Sequence, residues 1–271
     1  MTAEEYLSNG QLDEAYEHLK KQVQADPANP KLRIFLFQLL VVRGEWQRGL
    51  TQLIVEGEMD AESMPMVQTY RELIRCEVYR QKVFAGEIKP LVFGEPAQWI
   101  VLLIEALMAT GSDKAAQVAE LRSQAFELAP AVSGTIDGEA FEWIADADSR
   151  LGPLLEVILN GRYYWVPFSN IKAIKVEEPE DLRDLVWTPA QFLWTNEGEA
   201  FGFIPTRYVN THLEDEVELK LSRKTVWDEI NQGVYYGKGQ RLLTTDKNDY
   251  SLMDIRNISF DVEEIEEENK E

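Results

Sequence analysis

Asp146, Asp148, Arg150 and Glu156 stand close together in the run Trp143-Ile-Ala-Asp-Ala-Asp-Ser-Arg-Leu-Gly-Pro-Leu-Leu-Glu. Paired carboxylates are common equipment for acid–base chemistry. Asp-x-Asp followed by Gly and Glu is also the outline of a calcium loop. The calcium pattern fails at three offsets. Arg150, a cation, takes the fifth position. Gly152 stands at the seventh, where the loop turns at the sixth, and Glu156 stands at the eleventh, where bidentate ligation needs the twelfth. A metal-dependent or carboxylate-based enzyme using Asp146, Asp148 and Glu156 is the alternative function class. It would also need a nucleophile, a base or a metal set, and none is legible. The reading preferred from these residue types is an ion pair of Asp146 or Asp148 with Arg150, capping a helix at a corner between two halves of the chain.

Other chemistry is sparse. The two histidines, His18 and His212, lie 194 residues apart on polar stretches and read as solvated. Cys76 is the single cysteine, so no Cys/His metal spacing and no intrachain disulfide exists. Gly237-Lys-Gly-Gln-Arg241 is glycine-rich and basic. It lacks the strand–loop–helix frame and the Lys-Ser/Thr ending of a phosphate loop, and reads as a turn between strands. Arg71, Arg75 and Arg80 form a basic cluster in an acidic stretch. They suit either the carboxylates of a partner or intrahelical pairing of Glu72 with Arg75 and Glu77 with Arg80. No catalytic residue, cofactor or metal is expected.

The elements around these residues divide in two. Gly10-Gln-Leu-Asp-Glu-Ala15 and Gly44-Glu-Trp-Gln-Arg-Gly49 match at a spacing of 34 residues. That is the length of a tetratricopeptide unit, a helix–turn–helix of about 34 residues. Pro27 falls where one unit ends, and Gly111 with Ala116 forms a third, offset copy. Asn29 is placed to cap a helix that Pro30 opens. Leu32, Phe35, Leu36, Leu39 and Leu40 then form one apolar stripe, and Trp46, Leu50 and Leu53 make the return. Further helices are expected over 65–83 and from Pro96, with Ile100, Leu103, Ile104 and Leu107 inward. Residues 1–133 therefore read as an α-α superhelix of tetratricopeptide-like repeats. Counting from the turn glycines, Lys31, Ile34, Gln38 and Val41, joined by Gln98 and Val101, should line a partner groove, with Arg71 and Arg75 nearby.

After Gly134 the composition changes. A short helix is expected over 139–147, and a second between Pro153 and Gly161. Strands are expected at 163–166, 171–176, 192–195, 200–204, 217–221, 233–243 and 251–260, with Asn196-Glu-Gly-Glu199 as a hairpin loop. Residues 134–260 thus read as an α+β domain on a strongly bent antiparallel sheet, with barrel-like closure as an option. Residues 261–271 hold seven acids and one lysine and read as an acidic, disordered tail.

Charge narrows the function classes. The net charge is −21, with 13 basic against 21 acidic residues through Glu139 and 14 against 27 after it. Such a field repels nucleic acid and anionic membranes and steers basic segments inward, although Arg71 and Arg75 could read acids locally. No secretory signal and no membrane-spanning run is present, which with one cysteine suggests the cytoplasm.

Several runs together resemble a known family. They are the stretch from Trp143 to Glu156, Gly161-Arg-Tyr-Tyr-Trp-Val-Pro167, Asp184-Leu-Val-Trp-Thr-Pro-Ala190, Ile204-Pro-Thr-Arg-Tyr208, Asp254-Ile-Arg256 and Arg33-Ile-Phe-Leu-Phe-Gln-Leu-Leu40. The chain resembles the ImpE/SciE family, also called TagJ, accessory proteins of bacterial type VI secretion systems. The resemblance implies a cytoplasmic, non-enzymatic factor acting near the contractile sheath, through its small subunit and the ATPase that dismantles it. It supplies no catalytic residues. The motif positions Asp146, Asp148, Arg150, Gly152, Pro153, Trp165 and Pro167 read as structural.

Overall fold

The computed structural model describes residues 1–109, 114–231 and 233–262. The third-copy glycine, Gly111, and residues 263–271 of the acidic tail lie outside the described residues. Helices α1 (Ala3–Ser8), α2 (Leu12–Ala25), α3 (Pro30–Val42), α4 (Trp46–Met59) and α5 (Met64–Phe84) come first. α6 (Gln98–Met108) and α7 (Ala115–Leu128) follow. The Asn29 side chain accepts the Leu32 amide, and Pro30 sits in the first turn of α3, where no donor is needed. Gly10 and Gly44 take positive φ at 71° and 75°, which reverses the chain between paired helices. Gly49 allows the α3–α4 approach: a Cβ there would stand 3.2 Å from Val41 Cγ1.

The rest is sheet-rich, so the fold is α+β. A short strand β1 (Leu91–Val92) precedes β2 (Gly134–Ile136), β3 (Glu139–Phe141), β4 (Ile144–Asp146), β5 (Leu154–Leu159) and β6 (Arg162–Pro167). Then come β7 (Ile171–Val176), β8 (Trp187–Trp194) and β9 (Glu199–Pro205). A one-turn helix α8 (Val217–Lys220) is followed by β10 (Thr225–Asn231), β11 (Val234–Gly239), β12 (Leu242–Thr245), β13 (Asp249–Ser251) and β14 (Asn257–Phe260). Nine strands pair in the order β1-β6-β5-β9-β8-β7-β14-β2-β3. Its pairs are antiparallel except β1 with β6. Among the described residues this order is open, with β1 and β3 as edges, and does not close as a barrel. β13-β12-β4 forms a second sheet, and β10-β11 a hairpin.

Three expected elements change type. Residues 139–147 are β3 and β4, because Ile144 and Asp146 face inward and pair against β12. Residues 154–159 are β5 rather than helix. All six are buried, and a continuous apolar run carries no period that separates strand from helix. Residues 217–221 form α8 instead of a strand. Leu219 and Leu221 are buried, and Ser222 at φ 55° ends the turn.

Packing joins the two halves. One apolar cluster runs from Leu36, Leu40, Tyr70 and Ile74 on the helices to Tyr163, Trp165, Val186, Trp187 and Val209 on the sheet side. Tyr70 meets the rings of Trp187 at 6.0 Å and Phe203 at 6.2 Å. α3 packs on the 3₁₀ turn Leu182–Leu185. Two groove positions are corrected. Gln38 and Val41 are buried, Val41 with its Cγ1 toward Gly49 of α4, so neither is open to a partner. Lys31, Gln98 and Val101 stay exposed, and Ile34 is half-buried.

Candidate functional site

The tempting carboxylates sit on β4, the following loop and β5, and each strand points its acid into the seam with the helices. Glu156 on β5 is fully buried. Its Oε1 accepts from Arg80 Nε at 2.6 Å and from the Tyr163 hydroxyl. Its Oε2 accepts from Arg80 Nη2 at 2.9 Å and from Arg241 Nη2. Arg80 comes from α5 and also donates to the Arg207 carbonyl at 2.9 Å and to Glu77 at 3.4 Å. Arg241 precedes β12 and bridges Glu156 to Asp146, while its Nε donates to the Pro205 carbonyl at 2.9 Å.

Asp148 forms a second saturated carboxylate. Its Oδ1 accepts from the Arg150 amide at 2.9 Å and Arg150 Nε at 2.8 Å. Its Oδ2 accepts from Arg150 Nη2 and from the Gly237 amide at 2.8 Å. The Arg150 guanidinium is stacked between Tyr236, 4.3 Å from the ring centre, and Phe84, 4.8 Å away. So Asp148 pairs with Arg150, while Asp146 pairs with Arg241. No helix is capped there, because Asp146 lies on a strand. Asp146 Oδ1 instead accepts the Asp148 amide at 2.9 Å, closing the loop on itself.

The charges balance: Glu77, Asp146, Asp148 and Glu156 face Arg80, Arg150, Arg207 and Arg241. Burial alone would raise the Glu156 carboxyl, but Arg80 and Arg241 overcome it and hold it at about 2. Burial pushes Asp146 up to about 7 against the pull of Arg241, with the Asp148 carboxylate adding to the rise. Arg207 has no carboxylate of its own, and burial lowers it to about 10. An ionised carboxylate offers about four acceptor positions. At Glu156 and Asp148 four donors occupy them, which leaves no lone pair to bind a metal or take a proton. Among the described residues no group of three or more His, Cys, Asp or Glu is placed to hold a metal ion. A cavity of about 350 Å³ borders Asp146, but its walls include Phe126, Trp143, Pro153 and Ile144, and the Asp146 side chain is itself buried.

The other motif residues serve the same seam. Trp165 is fully buried, and its Nε1 donates to the Tyr163 hydroxyl at 2.8 Å. Pro167 pairs with Leu154 across β5 and β6. Gly152, at φ 54°, lies where a Cβ would strike the Phe126 ring at 2.5 Å, and the Pro153 carbonyl accepts the Phe168 amide. His212, expected in solvent, packs edge-on against Trp46 at 5.4 Å and closes over Gly44. Burial, with Arg207 nearby, lowers it to about 4.

Arg207, Arg241 and Tyr163 were not singled out as site residues from the sequence. Arg207 donates to the Val42 carbonyl at 2.8 Å and the Lys220 carbonyl at 2.6 Å, so it satisfies the C-terminal end of α3. The only signals in the sequence were their places inside Ile204–Tyr208, Gly237–Arg241 and Gly161–Pro167.

Tetratricopeptide-like helices joined to a sheet-rich half by a buried ion network define the class of scaffold. The model of the ImpE protein family matches residues 138–259, and a tetratricopeptide repeat model matches residues 6–55. The chain is 49% identical over 263 residues to the type VI secretion system accessory component TagJ of Pseudomonas aeruginosa. That match covers 96% of this chain and 92% of the relative. The crystal structure of protein VPA1032 from Vibrio parahaemolyticus superposes with a TM-score of 0.87 at 27% identity, over 96% of this chain and 98% of that one. The chain belongs to the ImpE/TagJ family. No helix among the described residues is long and apolar enough to cross a membrane.

Proposed function

We propose that this chain is a non-enzymatic, protein-binding accessory component of a type VI secretion system. In this reading it works in the cytoplasm on the contractile sheath, through the small sheath subunit and the ATPase that dismantles it. The observation that carries the non-enzymatic part is the saturation of Glu156 and Asp148 by eight donors, four on each carboxylate. An enzyme built on these acids would have to break the ion network before it could move a proton. The relative's role as a secretion accessory component supports the setting.

Because Gln38 and Val41 are buried, partner binding is assigned to the positions that stay reachable. Lys31, Ile34, Gln98, Val101, Arg71 and Arg75 are those sequence-derived positions. The test is affinity capture of the tagged full chain from its native cells. Recovery of the small sheath subunit and the ATPase is expected. Recovery of neither detaches the protein from the sheath. Calorimetric titration with calcium, magnesium and zinc is expected to show no stoichiometric binding. A bound ion at Asp146 and Asp148 would restore the enzymatic reading.

A further inference from the structure

Outside the buried network, one surface cleft joins unpaired positive charge to an apolar floor. It lies between α5 and the start of β6, has a volume of about 170 Å³, and is lined by Arg75, Tyr79, Leu91, Gly161 and Arg162 among others. Leu91 is 41% exposed on the edge strand β1. The Tyr79 hydroxyl donates to the Lys89 carbonyl at 2.7 Å, which fixes the ring as one wall. Arg75 and Arg162 are exposed, and neither guanidinium makes a hydrogen bond or ion pair among the described residues. Arg71, one turn earlier on the same face of α5, is likewise exposed and unpaired. The nearby Glu72 is engaged by Gln68 at 2.7 Å and lies against Gly161. Three unpaired arginines therefore gather on one face of a chain whose net charge is −21.

We infer that this cleft docks an acidic peptide segment that inserts one large aliphatic side chain onto Leu91 and Tyr79 while its flanking carboxylates meet Arg75, Arg162 and Arg71. Guanidinium forks bind carboxylates bidentately, and a single buried apolar anchor ringed by polar contacts is the usual form of a binding hot spot. The overall negative field does not prevent this, since exposed charges beyond about 8 Å are screened at physiological ionic strength. The inference rests on the protein-binding reading and adds the chemistry of the bound segment.

The experiment titrates the full-length chain against a fluorescein-labelled glutamate-rich peptide with one central leucine, read by anisotropy. Two companion peptides replace the glutamates by lysine or the leucine by serine. The acidic leucine peptide is expected to bind, and both companions at least tenfold more weakly. Arg75→Glu with Arg162→Glu should abolish binding while leaving the far-UV spectrum and melting temperature unchanged, and Leu91→Ser should weaken it with the same controls. Equal binding of the lysine peptide, undiminished binding by the double variant, or displacement of the peptide by a single-stranded oligonucleotide at lower concentration than by unlabelled peptide would overturn the inference. Capture of the sheath components is scored separately with the wild-type chain. Its failure alongside intact peptide binding sinks the sheath assignment and leaves the cleft. Its success alongside absent peptide binding does the reverse.

Discussion

Arg71, Arg75 and Arg80 look alike in the sequence, and the structure gives them opposite environments. Arg80 is buried and held by Glu156 and Glu77, whereas Arg71 and Arg75 are exposed. Removing one member of a buried pair leaves an uncompensated charge in the interior, which costs about 3–5 kcal/mol. Arg80→Ala is therefore expected to lower the unfolding free energy by about that amount, and Glu156→Gln to do likewise. Arg75→Ala should change it by less than about 0.5 kcal/mol. Guanidinium unfolding curves for the three variants check this, and an Arg80→Ala curve superposing on wild type would show that the network contributes nothing. Such a contrast was not legible beforehand. Helical spacing placed Glu77 beside Arg80, but the stronger partner, Glu156, lies 76 residues further on.

At the scale of elements, the turn glycines carry more than turn geometry. Gly44 holds positive φ, and a side chain there would also collide with the His212 ring. Gly10 faces Glu218 in the same way, with 2.7 Å to the carboxylate. The second half thus lays the stretch from His212 to Glu218 along the turns of the first two helix pairs. Gly138 provides a control, with φ 89° and nothing within 4 Å of a new Cβ. Gly138→Ala should cost only the left-handed strain of about 1–2 kcal/mol. Gly44→Ala should cost more, and the excess, measured by thermal or denaturant melting, reports the seam. Equal losses would mean that His212 moves aside freely. The 34-residue period located these glycines correctly. It could not locate His212, because period describes a chain's own turns and is silent about what packs on them.

For the molecule as a whole, the shared core predicts a single cooperative unfolding transition for the full chain. Residues 1–133 expressed alone should expose Leu36, Leu40, Tyr70 and Ile74, bind a hydrophobic dye and lack a sharp melt. A sharp melt of the isolated segment would show that the helices complete their own core. Acidity should act through the same seam. Unfolded, His212 takes up a proton near its ordinary 6.5, and folded only near about 4. Between those values the unfolded state holds more protons, so stability is complete above the window and falls as pH drops through it. Glu156, held at about 2 against an ordinary 4.5, extends the loss to lower pH. Asp146 acts oppositely: raised to about 7, it favours folding at low pH and loses that contribution as pH rises through the folded value. Between about pH 4 and 6.5 the opposed His212 and Asp146 contributions nearly cancel, so stability is expected to vary little there, and His212→Gln should make that limb rise as pH drops, read in urea midpoints. An unchanged limb would remove His212 from the account.

By itself the sequence determined the helical repeats, the switch to strand-rich structure after Gly134 and the family. These follow from local signals: glycine spacing, capping by Asn29 and Pro30, apolar periodicity and contiguous motifs. Only the tertiary structure decided that Gln38 and Val41 are buried, that β5 is a strand, and that Glu156 belongs with Arg80 and Arg241. The physical reason is common to all three. A residue buried on every side shows no period, and a buried charge is interpretable only with its partner, which can stand anywhere along the chain.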